Sequence, residues 1–289
     1  MIKAVEFKGK DFENKAELFK ALKTNKKELV GLKTAQVKNS DSIRSTMNKV
    51  DATKAITGLE DGFIYPVINT TKYMDSHNDV HMDGIWNKSL TDQVGKVHYL
   101  INHELEVGKV IAYPKDVETF TKDILWSDLG VDFAGYTQAL MFKTRVFDYS
   151  NADAKKIIQE KIDIEHSIRM QYVKIDLAID SSDSDMEEEK AVWDMYINDI
   201  ANKEAAIEQG YFWAVTEAKI YKEGSMVLAG SNDVTPMVYP KEIQPSNDTD
   251  NNEPSNDTQT KQDLKEKAKK ETLLRLIKQQ YNGFCSKIK

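Results

Sequence analysis

Few residues of this chain are suited to catalysis or metal binding, because its 289 residues include only five histidines and one cysteine. Cys285 alone can form neither an internal disulfide nor a cysteine-based zinc site. The sequence has no GxGxxG or GxxxxGK[ST] phosphate loop and no GxSxG nucleophile elbow. A functional site is therefore expected around one of the histidines, which are His77, His81, His98, His103 and His166.

Two of the histidines lie in an acidic segment with a period of two. If it is a strand, its alternate residues share one face and could present carboxylate and imidazole ligands to Zn²⁺ or Mn²⁺. The competing interpretation is a polar loop that leads into a helix near Ile85–Leu90. The metal interpretation predicts a metal-binding hydrolase that uses His77, Asp79 and His81, out of the full series Asp75, His77, Asp79, His81 and Asp83.

A second candidate combines a histidine at a strand end with a serine at a strand start. His103 follows the apolar run Leu100-Ile101 and could act as a general base. Ser167 could be a nucleophile if an imidazole accepted its proton. Glu217 shares strand parity with Trp213 and Val215, and its carboxylate could fix the tautomer of a histidine. Taken singly, each of these residues is more often structural.

The elements that must position these residues are mostly strands. Helical periodicity predicts helices at 11–32, 152–161 and 187–209. The apolar alternation of the strand that follows Ser167 changes parity, which predicts a β-bulge near Tyr172. Many strands without regular βαβ alternation predict an α+β fold with a mostly antiparallel, barrel-like core. The predicted strands are 63–69, 97–101, 108–113, 117–125, 138–146, 168–179 and 211–221.

Charge divides the chain into unequal parts, although its formal net charge is −7. Residues 1–60 are basic and read as a helix and arm, either packed on the domain or detachable. Residues 61–240 are strongly acidic and form the predicted globular domain. Residues 241–260 contain the repeated Pro-Ser-Asn-Asp-Thr and predict a flexible linker, and residues 261–289 predict a basic amphipathic helix suited to docking on an acidic partner.

The composition excludes several classes of protein. The acidic balance argues against a general nucleic-acid binder. No stretch approaches 18 apolar residues, so no transmembrane helix is expected, and the first ten residues lack the apolar centre of a signal peptide. A soluble protein of a reducing compartment is expected, with no membrane partner, no specific nucleic-acid partner and no cofactor.

The order of the motifs resembles a known family, the prohead maturation proteases of tailed phages, which are serine proteases related to the herpesvirus assemblins. The resemblance covers about residues 60–240. Asn102-His103-Glu104 through Gly108 is similar to the His-Asp…Gly motif of the family, and Ser167-Ile168 to its Ser-Ile-Gly motif. Tyr211–Val238 resembles its last Glu-bearing strand. Glu104 and Arg169 depart from the pattern, which has Asp and Gly at those positions.

The resemblance implies a herpesvirus protease-like fold and a serine endopeptidase. Its nucleophile would be Ser167, its general base His103 and its orienting carboxylate Glu217. His166 is the rival for the general base, and Glu165 is the rival for the orienting carboxylate. The implied substrates are the scaffold protein, the N-terminal segment of the capsid protein and the protease itself. The implied setting is an assembling prohead in the host cytoplasm, where the chain would be a homo-oligomer. The alternative is a catalytically inactive, scaffold-like capsid assembly protein of the same fold.

Overall fold

The computed structural model describes residues 1–35, 37–39, 56 and 58–240, which belong to one compact unit spanning Met1–Glu242. The linker predicted at 241–260 and the basic helix predicted at 261–289 lie outside the described residues. The helices are α1 Lys15–Thr24, α2 Lys26–Ala35, α3 Asn87–Asp92, α4 Ala152–Gln159, α5 Glu187–Tyr196 and α6 Lys203–Gln209, with 3₁₀ turns at Val107–Lys109, Pro114–Asp116, Trp126–Leu129, Ser184–Met186 and Ile197–Asp199.

Seven of the twelve described strands correspond to those predicted from apolar alternation, and the other five are short strands of two or three residues that were not predicted. All seven predicted strands are present, and the strand after Ser167 has the predicted irregularities of register around Tyr172. The strands are β1 Ile2–Lys3, β2 Asp11–Phe12, β3 Lys38–Asn39, β4 Tyr65–Asn69, β5 Asp79–His81, β6 His98–Ile101, β7 Val110–Ala112, β8 Glu118–Leu125, β9 Tyr136–Lys143, β10 Glu165–Ile179, β11 Tyr211–Val227 and β12 Met237–Val238.

Two sheets build the body of the protein. One follows the order β3-β10-β11-β6-β7, with β5 also paired to β11, and the other follows β12-β4-β9-β8. Most pairs are antiparallel, but β5 and β6 run parallel to β11. The prediction of a mixed α+β fold with antiparallel sheets is confirmed. The barrel-like core is not, because neither sheet closes on itself among the described strands.

The N-terminal segment is two helices rather than one, and both belong to the body. Asn25 caps the C-terminus of α1, where its backbone N–H (3.0 Å) and its side-chain amide (2.8 Å) both donate to the Ala21 carbonyl. Leu18 and Leu22 are fully buried and join the main apolar core with the strands of the larger sheet. Residues 1–35 therefore complete the core. Packing on the domain is observed for residues 1–35, and most of the arm predicted up to residue 60, at 40–55, lies outside the described residues.

The helix predicted over 187–209 is interrupted between α5 and α6. Ile200 adopts extended backbone and is buried, and Asn202 pairs with the backbone of Met74 through both its amide oxygen (2.8 Å) and its amide nitrogen (2.9 Å). These contacts pair the N–H and the carbonyl of Met74, and α5 and α6 do not join into one continuous helix. Tertiary contacts thus override the amphipathic pattern here.

Candidate active site

Ser167 lies near the start of β10, directly opposite Ser225 of β11 in the antiparallel ladder. Residues paired across a ladder point to the same face of the sheet, and so do residues two apart on one strand. Ser167, Ser225 and Glu223 therefore face the same side. This pairing brings together residues from two strands that are distant in the sequence.

A bulge in β11 lies next to Glu223. Ile168 pairs with Gly224, but Met170 pairs with Ile220, so β11 has two more residues than β10 in this interval. Lys222, within the bulge, has a left-handed backbone with φ of 69°. The Glu223 side chain, which follows the bulge, is completely buried.

Gly224 allows the second sheet to approach the bulge. A Cβ atom at this position would lie 2.8 Å from the ring of Phe142 on β9 and 3.0 Å from Ile68 on β4. Only a residue without a side chain fits beneath these two groups. The glycine between Glu223 and Ser225 is therefore needed for the second sheet to pack against β11 at this point.

His103 reaches the site from the end of β6, the parallel neighbour of β11. The backbone nitrogen of Asn102 donates to the Met226 carbonyl at 3.0 Å, which continues the ladder by one residue. The chain then turns sharply, because Asn102 and His103 both have left-handed backbones, with φ of 52° and 59°. Two consecutive non-glycine residues in this region are uncommon. The turn directs the imidazole across the ends of β10 and β11.

The three side chains form a continuous hydrogen-bonded chain. His103 Nε2 lies 2.8 Å from Ser167 Oγ, and His103 Nδ1 lies 2.7 Å from Glu223 Oε1. Glu223 is fully buried, and the His103 side chain is 9% exposed. A carboxylate on Nδ1 holds the hydrogen on that nitrogen and leaves Nε2 free to accept the serine proton. The arrangement is that of a nucleophile, a general base and an orienting carboxylate.

A further set of contacts surrounds the carboxylate. Ser225 Oγ donates to Glu223 Oε2 at 2.6 Å, and Arg169 Nε lies 3.3 Å from Glu223 Oε1. The arginine thus supplies a countercharge to a carboxylate that has lost all contact with solvent. A buried charge requires such a partner.

The expectation that Glu217 orients His103 is wrong. Glu217 lies 2.8 Å from Lys174 and 3.6 Å from Lys88, and the hydrogen bond from Lys174 lowers the pKa of its carboxyl group. Glu223, six residues further along the same strand, occupies the expected position. The rival Glu165 accepts a hydrogen bond from the backbone nitrogen of Gly230 at 2.8 Å.

His166, the rival base, takes part in a different set of contacts. Its Nδ1 lies 2.8 Å from the Thr235 carbonyl and its Nε2 lies 2.8 Å from the Tyr99 hydroxyl. Burial lowers the pKa of His166 to about 4, so the ring is neutral near pH 7. A carbonyl on Nδ1 requires a hydrogen there, and Nε2 then accepts from Tyr99. His166 therefore has a structural place beside the nucleophile.

The acidic segment 75–83 does not assemble a metal centre. His81 is held between Asn69 at 3.1 Å and the Tyr172 hydroxyl at 3.0 Å, and the same hydroxyl donates to Asp79 at 2.9 Å. His77 lies on the exposed side, 3.9 Å from Asp75. Within the described part of the chain, no group of three or more histidine, cysteine or acidic residues could hold a metal ion. The strand that the metal interpretation assumed does exist at Asp79–His81.

Three residues of the site escaped the sequence patterns: Glu223, Ser225 and Arg169. The sequence contains one usable signal for the first two, because Lys222-Glu223-Gly224-Ser225 interrupts an apolar strand with a glycine, and such a glycine often marks a bulge. Arg169 has no comparable signal. Its contacts depend on a turn at His103 that lies 66 residues away in the chain.

Comparisons with protein-family models, with curated proteins and with solved structures found no match to this chain. Among the described helices, none has the length and apolar character required to cross a membrane.

Proposed function

We propose that this protein is a serine endopeptidase in which Ser167 is the nucleophile, His103 the general base and Glu223 the orienting carboxylate. The observation that carries the proposal is the unbroken chain of contacts from Ser167 Oγ through both imidazole nitrogens to Glu223, with distances of 2.8 and 2.7 Å. Nucleophile and base are within hydrogen-bonding distance, and the base is oriented by a third group, as this chemistry requires.

The reaction follows from these contacts. His103 Nε2 takes the Ser167 proton as Oγ attacks a peptide carbonyl carbon, and Glu223 stabilises the imidazolium through the Nδ1 hydrogen. The imidazolium then gives its proton to the leaving amine as the peptide bond breaks. A water molecule, deprotonated by the same ring, hydrolyses the acyl-enzyme and restores Ser167.

The proposed substrates come from the resemblance of the motifs to the prohead maturation proteases. By that resemblance, the enzyme has an assemblin-like fold and acts inside assembling proheads in the host cytoplasm, as a homo-oligomer. It would cleave the scaffold protein, the N-terminal segment of the capsid protein and itself. The second candidate is an inactive assembly protein of the same fold. It is favoured by the burial of Ser167, whose exposed fraction is 2%.

The experiment combines two measurements on the full chain. A fluorophosphonate probe, which phosphonylates reactive serines with loss of fluoride and without requiring a peptide sequence, is applied to the wild type, to Ser167→Ala and to His103→Ala. The intact mass of each protein is measured in parallel. The expected result is labelling of the wild type alone, and any self-truncation should also be confined to the wild type.

The matched control is Ser231→Ala, because Ser231 is also buried and lines the same small pocket as Ser167. This variant should label like the wild type. Equal labelling of Ser167→Ala would contradict the assignment of the nucleophile. A correctly folded wild type without labelling or cleavage would favour the inactive assembly protein.

A further inference from the structure

His103 is held in a conformation that the backbone alone does not favour. Asn102 and His103 have φ values of 52° and 59°, a left-handed region that is unfavourable for residues with a side chain. Strain of this kind persists only where surrounding contacts enforce it. The imidazole can meet Ser167 only while this turn is maintained, so the contacts that enforce the turn bear directly on the reaction.

Two side chains hold the backbone of His103 from opposite sides. The His103 N–H donates to Ser225 Oγ at 3.0 Å, and Arg169 Nη2 donates to the His103 carbonyl at 2.9 Å. Both peptide groups of the strained residue are therefore tied to the paired strands β10 and β11. The turn is anchored to the most extensively paired strands of the fold.

The same two side chains also hold the carboxylate. Ser225 donates its hydroxyl hydrogen to Glu223 Oε2 at 2.6 Å, and Arg169 Nε lies 3.3 Å from Glu223 Oε1. The oxygen nearest to Arg169 is the one that contacts His103 Nδ1. A displacement of either side chain would therefore disturb the backbone of the base and its carboxylate together.

We infer that Arg169 and Ser225 are positioning residues that clamp the His103 backbone to the Glu223 side chain. The inference rests on the proposed function, since the clamp matters for catalysis only if His103 is the base. Arginine suits this place because its planar fork can contact a carbonyl and a carboxylate at once, whereas a lysine ammonium is a single point charge.

Arg169 supplies both a positive charge and a planar hydrogen-bonding fork, and the pH dependence of activity distinguishes these two contributions. The charged groups near His103 are Glu223 on β11, Arg169 on β10, and Glu104 and Lys109 on its own loop. Glu104 and Lys109 form an ion pair with each other at 3.1 Å. Removing the arginine charge leaves the Glu223 carboxylate to stabilise the protonated imidazole more strongly. The acidic limb of the activity profile should then move to higher pH.

The test measures the rate of fluorophosphonate labelling of the full chain between pH 5 and 9. Arg169→Met should move the acidic limb upward by about one pH unit and lower the plateau by roughly 10- to 100-fold. Arg169→Lys keeps the charge and loses the fork, so its limb should stay in place while its plateau falls by about 10-fold. Ser225→Ala should lower the plateau by about 10-fold or more.

The control is Arg145→Met, which makes the same substitution at an exposed arginine beside Phe147. It should reproduce the wild-type rate and profile. If correctly folded Arg169→Met and Ser225→Ala match the wild type in both plateau and limb, the clamp is wrong. If the wild type itself does not label, the proposed protease function fails, and the second measurement tests the clamp.

The second measurement is the NMR signal of the His103 Nδ1 hydrogen in protein with ¹⁵N-labelled histidine, assigned with His103→Ala. A hydrogen bonded to a carboxylate should give a distinct downfield signal in the wild type and in Arg145→Met. It should broaden or disappear in Arg169→Met and Ser225→Ala. An unchanged signal in both variants would overturn the inference regardless of activity.

Discussion

Two regions of this protein place a histidine in a chain of hydrogen bonds that includes a buried carboxylate, and they differ in what the histidine can do. At the candidate active site, His103 contacts Glu223 on one side and the Ser167 hydroxyl on the other. In the second region, which we call the charged core cluster, His81 lies between Asn69 and Tyr172. The cluster comprises Glu6, Lys33, Asp79, His81 and Tyr172, all with largely buried side chains.

The partners of each histidine account for the difference. In the charged core cluster, Tyr172 donates its hydrogen to Asp79, and Lys33 forms ion pairs with both Asp79 and Glu6. These contacts link the N-terminal segment to the sheet. At the candidate active site, the base meets an aliphatic hydroxyl that it can activate. The same residue types thus serve cohesion in one place and, under the proposed function, chemistry in the other.

Backbone conformation separates the two regions as well. His81 sits in the regular strand β5, whereas His103 occupies a left-handed turn maintained by side chains from two other strands. Strained backbone is commonly found at functional sites. The comparison indicates that a histidine held in strain is a better guide to function than one that merely neighbours an acid.

The largest expected effect tests the carboxylate of the active site against another on the same strand. Glu223→Gln should lower the labelling rate of Ser167 by about 10⁴-fold, because the amide cannot stabilise the imidazolium that forms during attack. Glu217→Gln should leave the rate within about twofold of the wild type. Labelling kinetics at pH 8 measure both. Equal losses in the two variants would remove the distinction between Glu223 and Glu217.

An intermediate effect is expected in the charged core cluster. Lys33→Met leaves Glu6 and Asp79 buried without their cation, which should lower the free energy of unfolding by about 3–5 kcal/mol. Urea denaturation measures this change. The exposed Lys27 on the same helix supplies the control, and Lys27→Met should change little. A neutral result for Lys33→Met would mean that the cluster does not attach the N-terminal helices.

The smallest effect concerns the pH dependence of stability. Burial and the neighbouring Asp79 raise the pKa of Asp75 to about 7, and burial lowers the pKa of His166 to about 4. Because the pKa of Asp75 is raised in the folded protein, its contribution to the free energy of unfolding is lost as the pH rises towards 7. The lowered pKa of His166 means that its contribution is lost as the pH falls from 6.5 towards 4. In the wild type the two dependences oppose each other.

Asp75→Asn should remove the pH dependence that comes from Asp75 and leave the opposite dependence that comes from His166. The amide oxygen can still accept the hydrogen bonds from the backbone N–H groups of His77 and Asp79, so the turn is retained. Between pH 4.5 and 6.5 the variant should lose stability on acidification more steeply than the wild type, by about 1.4 kcal/mol per pH unit. Urea denaturation at several pH values checks this, with exposed Asp92→Asn as the control. Parallel curves for Asp75→Asn and the wild type would contradict it.

Much of the architecture was predictable from local patterns. Apolar alternation located all seven predicted strands, and its change of parity located the irregular register around Tyr172. Helical periodicity failed where side chains of Asn25 and Asn202 capture backbone groups. Neither competition is visible in an apolar pattern, because asparagine is tolerated inside helices as well as at their ends.

The sequence by itself determined the strands and selected His103 and Ser167 as candidates, because strand periodicity and residue chemistry are local properties. Tertiary structure decided that Glu223 rather than Glu217 faces His103, because the register of β11 against β6 and β10 places Glu223 beside the strand that leads to His103 and Glu217 beside Lys174. It also decided that His81 joins Lys33 and Tyr172, and that the N-terminal helices belong to the core. These outcomes depend on register and contacts between distant segments, which no local pattern encodes.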